Sequence, residues 1–287
     1  MRGQSCGLEH RSVDQDCVPA LADLLAGAVP GTLWLLYVYR KDRVAPEPWR
    51  LIVRVFALGV AAGWTIALIR PRLELWLMPT EDGPLADLAD AFLVTAGGEE
   101  LAKLFAFALG ALWHADWDEP MDGIVYGAAA GLGFASIENA YFLSADGGWS
   151  VLAARAFTAN LAHLAFSGSL GFAFGLAKLE GRWSWAVGAW LAVVVLHGAY
   201  DWLLFAGPTW SPLALLGVLP LALVAVGLKV TWARSRSRPG VRTQPPPKQN
   251  PVSTVKSNVE VLGSVTKVGA QSLSTVSSRP TSHGERT

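Results

Sequence analysis

Apolar residues dominate seven stretches of the chain, at 21–39, 51–69, 85–113, 121–143, 151–177, 183–205 and 212–232. Each comes close to the about 20 residues that a helix needs to cross the hydrocarbon core of a bilayer. Only helices and closed barrels satisfy the backbone in lipid, and runs of this length point to helices. The pattern therefore predicts an all-α fold, a polytopic transmembrane helix bundle of about seven spans. The stretches at 85–113 and 151–177 are long enough to tilt or to begin in the interface. Pro30 and Pro220 each remove a backbone donor and are expected to kink the first and last spans.

Outside the spans the chain reads differently. Residues 1–20 place Glu9, Asp14 and Asp16 ahead of the first apolar run, which is unlike a cleaved signal peptide, so the first span is expected to stay in the mature protein. From Arg234 onward the sequence turns rich in Ser, Thr, Pro and Val, with Pro245, Pro246 and Pro247 in a row, and predicts a disordered tail. Three regions result: an extracytoplasmic segment at 1–20, a membrane domain at 21–233 and a basic tail at 234–287.

Composition agrees with lipid as the solvent. Hydrophobic residues make up 52% of the chain, charged residues only 16%, and the mean hydropathy is +0.35, which excludes an ordinary water-soluble domain. The formal net charge is zero, but Arg and Lys are unevenly placed. Arg40, Lys41, Arg43 and Arg50 follow the first span, Lys178 and Arg182 flank the loop after the fifth, and Arg234, Arg236 and Arg238 follow the seventh. With seven spans these regions share one side, which the positive-inside rule makes cytoplasmic, although Arg70 and Arg72 oppose it. The amino terminus is then outside and the tail cytoplasmic, its first arginines facing anionic headgroups. No nucleic-acid partner is expected. Cys6 and Cys17 both precede the first span, so they are open to a disulfide or to two free thiols and are unavailable to a site inside the bundle. His10, His114 and His283 read as solvated. Trp113, Trp117, Trp149, Trp183, Trp185 and Trp210 fall near span ends, where interfacial anchoring explains them.

Ionisable groups inside spans need another explanation, because each costs about 2.5 to 3.5 kcal/mol at the bilayer centre. Glu99, Glu100 and Lys103 lie in the third span, Glu138 in the fourth, His163 in the fifth, and His197 with Asp201 in the sixth. At about 1.5 Å per residue, Glu99 is about 21 Å from Trp113, Glu138 about 26 Å from Met121, His163 about 22 Å from Lys178 and His197 about 21 Å from Trp183. Helices of alternating direction thus bring their polar groups to one level, in the outer half of a core about 30 Å thick. His197 and Asp201 share a helix face, and Lys103 lies four and three residues beyond Glu99 and Glu100, where one ammonium can neutralise both carboxylates. Adjacent glutamates point about 100° apart, so they are not expected to do the same work. Gly123, Gly127 and Gly131 in the fourth span and Gly171 and Gly175 in the fifth follow the small-residue spacing that permits close helix contact.

The order Glu99-Glu100-x-x-Lys103, Phe134-x-x-x-Glu138, His163 and His197-x-x-x-Asp201 resembles the motifs of the PrsW family of intramembrane proteases. Asp42-Arg43, Pro46-Glu47-Pro48, the run from Glu119 to Gly127, the run Gly131 to Ala135 ending in Glu138-Asn139, and the run His197 to Asp201 are similar to further stretches of that family. The resemblance covers roughly residues 30–204. It implies a multi-pass membrane protease, distantly similar to type II CAAX-processing and bacteriocin-immunity proteases. It also implies a first cut in a membrane-spanning anti-sigma factor, and either a metal or a glutamate-activated water.

Amide hydrolysis needs an activated water, a stabilised oxyanion and a proton for the leaving nitrogen. Glu99 or Glu100 is a candidate general base, restrained by Lys103. Glu138, His163 and His197 are candidate ligands of Zn²⁺, or would position the water directly, with His197 held by Asp201 to polarise the carbonyl or donate a proton. No His-Glu-x-x-His helix is present, so a zinc site would be assembled from separate spans. The expected partners are a single-span membrane protein as substrate and the lipid bilayer; no other cofactor is expected. An ion- or proton-coupled transporter, or a non-catalytic membrane scaffold, would also bury such groups.

Overall fold

A computed structural model of the chain describes residues 8–9, 12–13, 18–41, 46–78 and 83–236. The readings of Cys6, His10, Cys17, Asp42, Arg43, His283 and the tail beyond Arg236 lie outside these residues. The described chain is helical apart from one short antiparallel pair, β1 (Leu8–Glu9) with β2 (Ser12–Val13).

The helices follow the apolar stretches. They are α1 (Leu21–Lys41), α2 (Trp49–Leu77), α3 (84–112), α4 (Pro120–Phe142), α5 (Gly148–Phe157), α6 (Ala159–Glu180), α7 (Trp183–Phe205) and α8 (211–236). Of these, α1, α2, α7 and α8 are long and apolar enough to cross a membrane by length and composition alone. The other long runs, α3, α4 and α6, carry the buried acids, the lysine and His163. Their polarity is tolerable because neighbours cover them: α4 is buried along almost every residue from Met121 to Ile137.

Two features depart from a plain reading of the apolar runs. The stretch 151–177 is not one helix. Thr158 adopts φ −115°, ψ −80° between α5 and α6 and gives its hydroxyl to Ala154 O at 3.0 Å, so the chain turns where hydropathy is continuous. Helix α3 contains π-helical turns at Asp90–Gly97 and Ala108–Leu112 on either side of Gly98–Phe107. Such turns rotate the helix beyond them, and they are frequent next to functional groups. Here the first one ends immediately before Glu99 and Glu100.

The centre of the bundle is α4, packed against α1, α2, α3 and α6. Lipid supplies no hydrophobic drive between helices, so close backbone approach has to hold them. A methyl group on Gly123 or Gly127 would collide with the backbone oxygens of Gly171 and Ser167 on α6. Gly133 and Gly59 make similarly close passages between α4 and α2. Gly175, by contrast, has its nearest neighbour at 3.4 Å, so it is looser than its spacing implied.

One end of the bundle is tied together by polar contacts. Asp122 Oδ2 accepts from the backbone N–H groups of Asp118 and Glu119 at 2.8 and 2.7 Å, closing the start of α4. The Tyr126 hydroxyl donates to Glu47, and Arg234 donates to Lys41 O. Lys178 Nζ donates to His114 O and Trp117 O at 2.8 and 2.7 Å, and the rings of Trp113 and Trp183 stack 6.1 Å apart. The chain segments that carry Lys41, Lys178 and Arg234 therefore lie at the same end. The ionisable groups lie further along the helices.

Candidate active site

Helix α3 supplies the floor of the site. Glu99, Glu100 and Lys103 are all buried, and Lys103 Nζ donates to Glu99 Oε2 at 2.9 Å and to Glu100 Oε1 at 3.0 Å. The ammonium also sits 4.2 Å from the centre of the Phe134 ring, on α4. One cation thus serves two adjacent carboxylates, as the helical spacing predicts. Left unpaired, any of the three charges would cost several kcal/mol here.

The two glutamates face different partners. Glu100 Oε1 lies 2.9 Å from His197 Nδ1, whereas Glu99 Oε2 lies 3.8 Å from His197 Nε2. Asp201 Oδ2, one helical turn beyond His197 on α7, is 3.2 Å from the same Nε2. A carboxylate can only accept, so Glu100 favours a proton on Nδ1 and Asp201 favours one on Nε2. His163 on α6 comes edge-on to His197, ring centres 5.5 Å apart, and its Nε2 is 2.6 Å from Glu138 Oε2 on α4. The fold thus gathers all seven candidates, Glu99, Glu100, Lys103, Glu138, His163, His197 and Asp201, into one continuous network.

Exposure divides the network into a floor and a mouth. The side chains of Glu100 and Lys103 are 0% exposed and that of Glu99 6%, against 15% for Asp201 and 24% for Glu138. Glu138 and Asp201 are thus the members of the network most open to the surroundings.

A metal fits at the boundary. One ligand atom each from Glu99, His163 and His197 lies within 4.8 Å of the others. His163 Nδ1 is buried with no hydrogen-bond partner, a donor atom left for something the protein does not supply. A carboxylate and two imidazoles form the ligand set of catalytic zinc sites that keep an open position. Of the three residues expected to hold an ion, His163 and His197 belong to this group; its third member is Glu99, while Glu138 meets His163 Nε2.

Arg155 is an addition from the structure, and Asn139, which ends the Glu138-Asn139 run, gains a role from it. Arg155 Nη2 donates to Glu138 Oε2 at 3.2 Å and Nε to Asn139 Oδ1 at 2.9 Å. Asn139 Nδ2 in turn donates to Gly27 O at 3.2 Å, linking the site to α1. An arginine in the first turns of an apolar stretch was the available signal, but at that position it reads as an interfacial anchor. His114, half exposed, pairs with Asp116 at the other end of the bundle and takes no part.

Comparison with known proteins gives the same picture. The family model described as PrsW family intramembrane metalloprotease matches residues 47–228. Among curated proteins, the chain is 37% identical to Protease PrsW of Geobacillus kaustophilus over 219 residues, 75% of this chain and 93% of that protein. It is 33% identical to Protease PrsW of Bacillus subtilis over 192 residues, 66% of this chain and 85% of that protein. No solved structure matches. The matched region contains every ionisable residue of the network together with α2 to α7. An apolar helical bundle with acids, a lysine and two histidines gathered inside it is the form expected of such an enzyme, and the chain belongs to the PrsW family of intramembrane metalloproteases.

Proposed function

We propose that this membrane-embedded peptide hydrolase cuts a single-span membrane protein near the outer end of its span, with Glu99, His163 and His197 as the metal-holding group and Glu138 as the base. The observation that carries this reading is the convergence of those donor atoms within 4.8 Å, with Glu138 Oε2 2.6 Å from His163 on the more exposed side of the network. Zn²⁺ bound there would acidify a water and polarise the scissile carbonyl. Glu138 accepts the proton of that water and returns it to the leaving nitrogen, which suits a carboxylate at the mouth. Glu100 accepts from Nδ1–H of His197, so Nε2, the nitrogen nearer Glu99, is the one that would give up its proton to hold the metal. Lys103 offsets the charge of Glu99 and Glu100, which keeps two carboxylates side by side away from water. Asp201 Oδ2, 3.2 Å from Nε2 at the mouth, holds the imidazole while that nitrogen carries a proton and would stand beside the ion once one is bound.

Orientation is set by the arginines. The end that holds Lys41, Lys178 and Arg234 is assigned to the cytoplasm. Arg70, on the opposing side, is engaged by Glu74 at 2.7 Å and Asp90 at 2.8 Å. About 21 to 26 Å of helix then separates the cytoplasmic ends from the site, within about 10 Å of the outer surface. An anti-sigma factor is the substrate class that the family resemblance suggests.

The test is cleavage of a single-span substrate by the purified chain in liposomes, with the new termini mapped, and a membrane-impermeant label applied to intact cells that carry single cysteines at Ser144 or Ser235 to fix the orientation. The expected result is a cut near the outer end of the span, absent in Glu138→Ala, with Ser144 on the outer side. A cut at the cytoplasmic end, or labelling of Ser235 from outside, would reverse the assignment.

A further inference from the structure

Arg155 is a cation with no part in the proposed reaction steps. An arginine near the end of an apolar run normally extends its head into interfacial water. This one does not. Its side chain is only 15% exposed and lies over α4, with Nη2 on Glu138, Nε on Asn139 and the guanidinium 4.0 Å from the centre of the Phe142 ring. Three residues of one helix thus receive it. The break at Thr158 frees α5 from the line of α6, and Trp34 Nε1 holds α5 to α1 through Ala156 O at 2.7 Å.

The contact with Glu138 has a particular form. A single oxygen, Oε2, receives both the Arg155 guanidinium at 3.2 Å and His163 Nε2 at 2.6 Å. A glutamate on a helix has three rotatable bonds, and at 24% exposure burial alone does not lock it into one rotamer. The guanidinium is itself fixed by Asn139, which is buried and anchored to Gly27 O. The rigidity therefore runs from α1 through Asn139 and Arg155 to the carboxylate.

We infer that Arg155 is a positioning residue for the hydrolysis: it holds the Glu138 carboxylate against His163, in the orientation from which Glu138 handles the proton of the attacking water. The inference rests on the reading of Glu138 as the base. Two hydrogen bonds from one planar group fix a direction as well as a charge, which an ammonium does less well.

The test compares cleavage by the full-length protein and its Arg155→Gln, Arg155→Lys, Arg155→Ala and Glu138→Ala variants in detergent, with thermal unfolding followed in parallel. Arg155→Gln is expected to lower kcat by about tenfold to a hundredfold, with KM within about twofold of native because substrate binding is untouched. Arg155→Lys should recover part of that loss. Added methylguanidinium should raise kcat of Arg155→Ala by about tenfold and leave Glu138→Ala inactive. If Arg155→Gln does not fold, Arg155→Lys, which keeps the charge, carries the test through its lowered kcat at unchanged KM. Native kcat in the Arg155 variants beside an inactive Glu138→Ala would overturn the positioning role alone. Native cleavage by Glu138→Ala would overturn both it and the assignment of the base.

Discussion

His197 has a carboxylate at each ring nitrogen, Glu100 at Nδ1 and Asp201 at Nε2, and the two differ in burial. Glu100 is sealed in the floor, whereas Asp201 stands partly in the mouth. If Asp201 only steadies the imidazole, Asp201→Asn should lower kcat by about tenfold to a hundredfold, and His197→Ala should abolish cleavage. Both should still insert, since the apolar spans carry the membrane energetics. The reverse ranking would make Asp201 a primary catalytic group. These residues were legible in the sequence because charge in lipid is costly and conspicuous. The division of labour was not. Helical spacing says that Glu99 and Glu100 point about 100° apart, but which of them reaches His163 depends on how α3 is rotated by its π-helical turn. Arg155 carried no comparable signal: near the end of an apolar run an arginine reads as an interfacial anchor, and the break at Thr158 between α5 and α6 has no hydropathy signature.

At the scale of helices, the central element packs through its smallest residues. Helix α4 presents Gly123, Gly127 and Gly131 to α6, and a methyl group on Gly127 would meet the backbone oxygen of Ser167, which cannot move aside as a side chain would. Gly127→Ala is therefore expected to destabilise the bundle by about 1 to 3 kcal/mol and to lower its thermal midpoint in detergent. Gly188→Ala on α7, where nothing lies within 4 Å, should change stability by no more than about 0.5 kcal/mol. Equal midpoints for the two variants would remove close backbone approach as the basis of the α4–α6 contact. The four-residue glycine spacing made this contact readable in advance. The apolar stretches also located the helices well, and the limits of α7 agree with the pattern at both ends. What hydropathy could not show was helix geometry within a stretch: the π-helical turns of α3, the separation of α5 from α6, and the extension of α2 through Pro71 to Leu77.

For the whole molecule, the design is one of segregated ends. Arg234 donates to Lys41 O, and Lys178 donates to the loop after α3, which leads into the helix whose Tyr126 donates to Glu47; the ionisable network sits well away from these contacts. Helices α1, α2, α7 and α8 are the ones long and apolar enough to cross a membrane, and the acids and imidazoles of α3, α4, α6 and α7 are turned toward one another inside the bundle. Span counting alone placed the four polar groups at one depth, which is why the site was foreseeable as a site, but only the packed bundle identifies which donor atoms converge. The central claim is that Glu99, His163 and His197 hold a metal and Glu138 works beside it. Its most direct test is the zinc content of the purified protein, measured for native chain and for Glu99→Ala, His163→Ala, His197→Ala and Glu138→Ala variants of equal thermal stability. The expected result is about one zinc per native chain, a loss of metal in the first three variants, and retention in Glu138→Ala despite its inactivity. Metal retained in Glu99→Ala and lost in Glu138→Ala, or a fully active chain without metal, would contradict it.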